Sequence, residues 1–197
     1  MGRVIAVGLL LVLSGCTALA TVAAIPGVVV DGVVDIFHGQ ERSLPVDMRT
    51  ALVAVQKGLR ATRLDVDVLE PVKGGYAVGF GNEKLDGTLR LTPQTPMLTT
   101  MNIKVRHGIS REKSVEKTLM DEIQDASAHV SKWQRFDYRG YGEIRAEPDK
   151  ASKRLGWYRL QAKLEIGASR QKGWLTIKMP NGDKGFLEGA LPSSARN

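Results

Sequence analysis

The sequence predicts an α+β fold, an antiparallel sheet with two helices, followed by a small all-β unit. Three observations predict it. Apolar residues recur first at helical spacing, then alternate strictly over short runs, then return to helical spacing before residue 130. Beyond residue 140 the helical period is gone, and glycine, proline and an Asn-Gly pair divide the chain into short extended runs. With 43% hydrophobic and 25% charged residues among 197, the chain is ordinary globular material rather than disordered.

The first element is not part of the fold. Gly2-Arg3 supplies a brief positive flank, Val4 to Leu13 an apolar stretch, and Leu13-Ser14-Gly15-Cys16 closes it with small residues before the sole cysteine. That string resembles the lipobox of bacterial lipoproteins. The resemblance implies a signal peptide over 1–15, cleavage before Cys16, and a diacylglyceryl group with palmitate on the new N-terminus. Thr17, where inner-membrane lipoproteins carry Asp, implies sorting to the outer membrane, facing the periplasm. Two other readings of the run stay open. No charge occurs from Val4 to Val30, enough for a membrane-spanning signal anchor of roughly 20 residues, although Pro26-Gly27 interrupts it. A buried soluble helix is the third.

Residues 16–40 read as a lipid-anchored tether. Val30, Val33, Val34 and Phe37 within it keep helical spacing, which Gly32 weakens. The unit over 41–130 follows. Met48, Leu52, Val55 and Leu59 mark a helix with one buried stripe, with Pro45 and Asp47 suiting its start. Leu64, Val66 and Val68 then alternate with Arg63, Asp65 and Asp67 until Pro71 stops the strand. Gly74-Gly75 turns into Tyr76–Phe80, Asn82-Glu83 into Leu85–Leu91, and Met101, Ile103 and Val105 form the next alternating run. Ser110 is placed to cap a second helix carrying Val115, Leu119, Ile123, Ala126 and Val130.

From Gln40 to Asp125 the chain also resembles a family of small bacterial lipoproteins of unknown function. Gln40-Glu41-Arg42-Ser43-Leu44-Pro45 and Thr99-Thr100-Met101-Asn102-Ile103-Lys104-Val105-Arg106 carry that likeness. It implies a compartment and a fold but no activity.

Residues 131–139 read as a docked linker, and 193–197 as a tail. Between them, over 140–192, Ile144-Arg145-Ala146-Glu147-Pro148, Leu155-Gly156-Trp157, Leu164-Glu165-Ile166-Gly167 and the run Gly173 to Leu187 resemble a bacterial SH3-like domain. The resemblance implies a closed small barrel that serves as a binding module. Asn181-Gly182 suits a tight two-residue hairpin turn, and Gly185 a close backbone approach.

Charge is uneven. Of the net +7, residues 131–197 hold 14 Lys/Arg against 7 Asp/Glu, while 16–130 hold 13 against 14. Such a surplus favours an anionic partner, with a solvated basic surface as the plain alternative. In a bacterial envelope the anions are peptidoglycan, lipopolysaccharide and phospholipid head groups, and nucleic acid is excluded. Aromatic faces beside cations suit such ligands, so Trp157, Tyr158, Trp174, Arg145, Arg154, Arg159 and Lys172 are candidate binding residues. The two tryptophans serve equally well as core of a small domain. His38, His107 and His129 show no metal-ligand spacing, and no nucleophile–base pair exists once Cys16 is lipidated, so neither metal, cofactor nor catalysis is expected. The expected function is an anchored envelope lipoprotein that binds cell wall (peptidoglycan) or another anionic partner. The alternative is a structural or assembly subunit of an envelope protein complex.

Overall fold

The computed structural model describes residues 39–189. Cys16, the tether before Gly39 and the tail at 193–197 lie outside the described residues. Eleven strands and two helices follow in chain order. They are β1 (Gln40–Leu44), α1 (Met48–Ala61), β2 (Asp65–Val72), β3 (Gly75–Gly81), β4 (Asp86–Thr95), β5 (Leu98–His107), β6 (Ser110–Arg111) and α2 (Lys113–Ala128). β7 (Tyr141–Arg145), β8 (Arg154–Arg159), β9 (Ile166–Ala168), β10 (Trp174–Lys178) and β11 (Lys184–Glu188) complete it.

All the strands belong to one antiparallel sheet, ordered β1-β5-β4-β3-β2-β8-β7-β11-β10-β9, with β6 beside β5. This overturns the expectation of a helix-and-sheet domain followed by a separate SH3-like barrel. The strands expected after residue 140 are present, but they extend the first sheet. β2 pairs with β8 through Val68↔Tyr158 and Leu69↔Trp157, while β7 takes the other side of β8. A strand has two hydrogen-bonding edges, so β8 has none left with which to close a barrel. Among the described residues β9 pairs with β10 alone, and the sheet ends there, open.

Local physics explains most elements. Asp47 caps α1, its Oδ1 accepting the Thr50 N–H at 2.6 Å. Leu52, Val55 and Leu59 are buried as the helical spacing requires. Gly58 lets α2 approach closely, since a Cβ there would lie 2.8 Å from Ile123 Cγ1. α2 starts later than expected. Ser110 is in β6 instead of at the cap, and Glu112 holds the N-cap position without a side-chain bond. Buried Glu116 explains the order here: it accepts the Val105 N–H at 3.1 Å and a two-pronged bond from Arg111 at 2.8 Å. Burial works against that carboxylate's charge, yet these partners hold it below the usual range. Pro71 does not stop β2, because β8 pairs only at Val68 and Leu69 and leaves the proline position without a ladder partner on that side.

Two cores lie on opposite faces of the sheet. Both helices cover one face over Leu69, Val78, Phe80, Leu89, Met101 and Ile103. The 131–139 segment docks on this core through Phe136, and the Gln56 side chain both donates to and accepts from the Asp137 backbone. From Phe136 an aromatic series leads across Tyr138 and Tyr141 to Trp157, with ring centroids 4.8 to 6.5 Å apart. The Tyr141 hydroxyl donates to the Val66 carbonyl at 2.8 Å, and burial pushes its pKa up to about 12. The second core gathers Val68, Ile144, Leu175, Ile177, Met179 and Leu187 on the reverse face.

Candidate functional site

One irregular residue in β2 creates the reverse-face core. Val66 pairs with Phe80 and Val68 with Gly79, so Asp67 is an extra residue, a β-bulge. Val66 and Leu69 therefore face the helices, while Val68 and Glu70 face the other way. The β10–β11 hairpin curls onto them. Pro180 packs where a Cβ on Gly79 would sit 3.4 Å from its Cγ, and the Asn181 N–H donates to Glu70 Oε2 at 3.1 Å. Glu70 is only 5% exposed, and burial pushes its pKa up to about 7. The expected two-residue turn at Asn181-Gly182 is instead a three-residue loop. Gly182 N–H bonds Met179 O, the Met179 N–H bonds Asp183 O, and Gly182 alone takes a positive φ of 95°.

Beside this contact the curl leaves a groove of about 1160 Å³ against the uncovered face of β3, β4 and β5. Asp65, Asp67, Glu83, Asp86 and Glu165 line it together with Lys84, Lys104, Arg106, Arg159, Lys163 and Lys178. Arg159 holds Asp67 at 2.7 Å and stands 3.9 Å from Asp65. Burial raises the Asp67 pKa although Arg159 opposes it. The other five cations make no side-chain hydrogen bond or ion pair with any described residue. Five free cations thus face three free carboxylates, and the lining includes no serine, cysteine or histidine. The arrangement suits electrostatic binding of an anion-bearing partner and offers no nucleophile–base pair.

The residues singled out from the sequence are dispersed. Arg145 and Arg154 both bond Glu143, and Arg154 also stacks over the Trp157 ring at 4.6 Å from its centroid. These three side chains meet on the helix-side face, where the two guanidiniums share the one Glu143 carboxylate. Tyr158 points to the reverse face and joins the second core. Trp157 packs on the first core, in line with the core alternative. Trp174 begins β10, three strands from Trp157 and thus about 14 Å away, and Lys172 is exposed in the preceding turn. Arg159 alone reaches the groove.

Sequence reasoning placed Lys84 outside any binding surface, and it passed over Lys163, Lys178 and, in the near-neutral first part, Lys104 and Arg106. Their signal was present in the alternation of Ile103 and Val105 with Lys104 and Arg106, which assigns the cations to the uncovered face. Nothing local shows that residues 160–180 fold over that face. Among the described residues no group of three or more His, Cys, Asp or Glu is placed to hold a metal ion. No described helix is long and apolar enough to cross a membrane. No protein-family model matches the chain, and no curated protein matches it in sequence.

Proposed function

We propose that the chain is a lipid-anchored, non-catalytic protein of the bacterial cell envelope that binds an anionic envelope partner in the groove. Cys16 carries the anchor, and outer-membrane sorting follows from Thr17. The observation that supports binding most is the set of cations without a side-chain partner among the described residues: Lys84, Lys104, Arg106, Lys163 and Lys178. A protein that needed these charges only for solubility would have no reason to gather them across a concave surface from strands and loops far apart in sequence. Free cations on a curved surface raise the local concentration of anions and speed their capture.

The test uses the full-length protein in neutral detergent, offered purified sacculi, immobilised lipopolysaccharide and immobilised phosphatidylglycerol. Binding is expected at low salt and release at about 1 M salt, where the screening length falls to roughly 3 Å. Reversing Lys104, Lys163 and Lys178 together should lower affinity at least about tenfold, about half a kcal/mol for each free cation. Reversing Lys73 and Lys153, which lie outside the groove, should leave it unchanged. If all three materials fail to bind at low salt, the protein is a structural or assembly subunit of an envelope complex and its charge is solvated surface.

A further inference from the structure

We infer that the anionic partner is the lipid surface holding the protein's own anchor, and that the β5–β6 hairpin tip rests in that surface with Ile109 in the interface. This rests on the anchored reading of Cys16 and names the partner of the groove's cations. The ladder between β5 and β6 pairs Arg106 with Arg111 and His107 with Ser110, which leaves Gly108-Ile109 as a two-residue loop. Gly108 takes a φ of 60° at its first position, the geometry such a turn demands. Ile109 at the second position is 103% exposed, more than any other large apolar side chain among the described residues. The Arg111–Glu116 bond clamps β6 to α2, so the tip cannot fold back to bury it. Polar or small residues usually occupy such a turn, and an isoleucine presented there on a held hairpin would gain by entering an apolar medium outside the molecule.

Its position supplies the medium. Gly39 donates its N–H to Asn102 Oδ1, and Gln40 pairs with Ile103, so the tether joins the sheet beside the middle of β5, from the side of the hairpin end. From Ile103 to the tip is about 13 Å along the strand. Cys16 lies 23 residues before Gly39, within easy reach of a bilayer against this end. Asp86 pairs with Arg106 and Gly81 with Asp86, so the groove's strand ends and the tip belong to the same end of the sheet. Arg106 precedes the Gly108-Ile109 loop and pairs across the hairpin with Arg111, and Lys104 stands next to Arg106 on the groove face. An apolar residue set among cations is the pattern of an interfacial contact with anionic lipid. The opposite end provides the contrast. Met97, at the β4–β5 turn, is also apolar and 64% exposed, but its neighbours Thr95, Pro96, Leu98 and Thr99 carry no charge.

The experiment compares those two tips. Ile109→Cys and Met97→Cys are made separately in the full chain, where the thioether on Cys16 leaves one free thiol for a polarity-sensitive fluorophore. The protein is reconstituted into vesicles of phosphatidylethanolamine with phosphatidylglycerol, and the mass of the N-terminal peptide is measured independently. The Ile109 label should shift to the blue and be quenched by lipid-borne quenchers, while the Met97 label stays aqueous. Lys104→Glu with Arg106→Glu should return the Ile109 label to water, each cation having contributed about fivefold in partitioning. If the lipid mass is missing, the labels are read in a Cys16→Ser background. A blue shift there upholds the membrane contact while the anchor fails. An aqueous Ile109 label on anionic vesicles, equal shifts at both tips, or protection by sacculi in place of vesicles overturns the inference, whatever the N-terminal mass shows.

Discussion

The helix-covered part of the sheet and the curled part share strands and hydrogen bonds, yet they keep their apolar residues on opposite faces. Twenty buried residues form the core under α1 and α2, and six form the core inside the curl. The larger draws on both helices, five strands and Phe136. The smaller cannot close without Val68, which β2 contributes through the bulge at Asp67. A core of six residues excludes less water and holds its strands less firmly than one of twenty. The difference teaches that the second set of strands is an extension resting on the first, and that the groove exists because the two cores oppose each other.

The strongest way to break that comparison is to empty both cores by similar amounts. Ile103 is fully buried beneath the helices, whereas Leu175 is 6% exposed in the curl. Ile103→Ala should cost about 3–5 kcal/mol and Leu175→Ala about 2 kcal/mol, since a site near the surface relaxes more easily around the lost atoms. Urea denaturation of each variant measures both values. Equal losses would mean that the curl is as tightly packed as the main core, and its dependence on Val68 would lose its basis.

The same contrast separates what could be read in the sequence from what could not. α1, α2 and the strands β2 to β5 were legible because Leu52, Val55 and Leu59 keep helical spacing and Met101, Ile103 and Val105 alternate. The strands after residue 140 were legible one by one. Their assembly was not, because hydrogen bonds between β2 and β8 join residues about 90 apart and leave no trace in a local pattern. Asp67 was the blind spot. Strict alternation puts Leu64, Val66 and Val68 on one face, and only the pairing with Phe80 and Gly79 reveals that Val68 has crossed to the other. The candidate site suffered for the same reason. Aromatic and basic residues near Trp157 looked like a ligand surface, but Arg145 and Arg154 share the Glu143 carboxylate, whereas three of the five groove cations, Lys84, Lys104 and Arg106, came from the stretch that composition had marked as neutral.

A finer test concerns the seam between the two parts. Glu70 projects from β2 toward the hairpin that covers it, accepting the Asn181 N–H. Burial raises its pKa from an ordinary 4.5 to about 7, Asp183 adds to the rise, and Arg90 with the Asn181 N–H opposes it. The folded state therefore binds the proton more tightly than the unfolded chain does. This residue's contribution is fully present below about pH 4.5, falls as pH rises toward 7, and is constant above that. Glu70→Gln keeps an acceptor for Asn181 and removes the titration. The variant should match the parent in acid and be about 2 kcal/mol more stable above pH 7, somewhat over half of the roughly 3.4 kcal/mol to which the full shift would convert. Thermal unfolding from pH 4 to 8 measures this. A parallel pair of stability curves would show that the hairpin does not seal Glu70 from water.

The smallest effect tests how firmly the hairpin itself is held. Gly182 occupies the last position of the Pro180-Asn181-Gly182 loop at a φ of 95°, a region that costs any side chain about 1 kcal/mol. Gly182→Ala should lower stability by that amount, and unevenly. The strain sits in a loop whose neighbours Met179 and Pro180 are buried against β2 and β3, while the helices lie on the far face. Hydrogen exchange should therefore quicken in β10 and β11 and stay unchanged in α1 and α2, because the curl can open locally before the main core does. Faster exchange spread evenly over the helices would mean that the two cores unfold as one body, and that the curl is no weaker than the part it rests on.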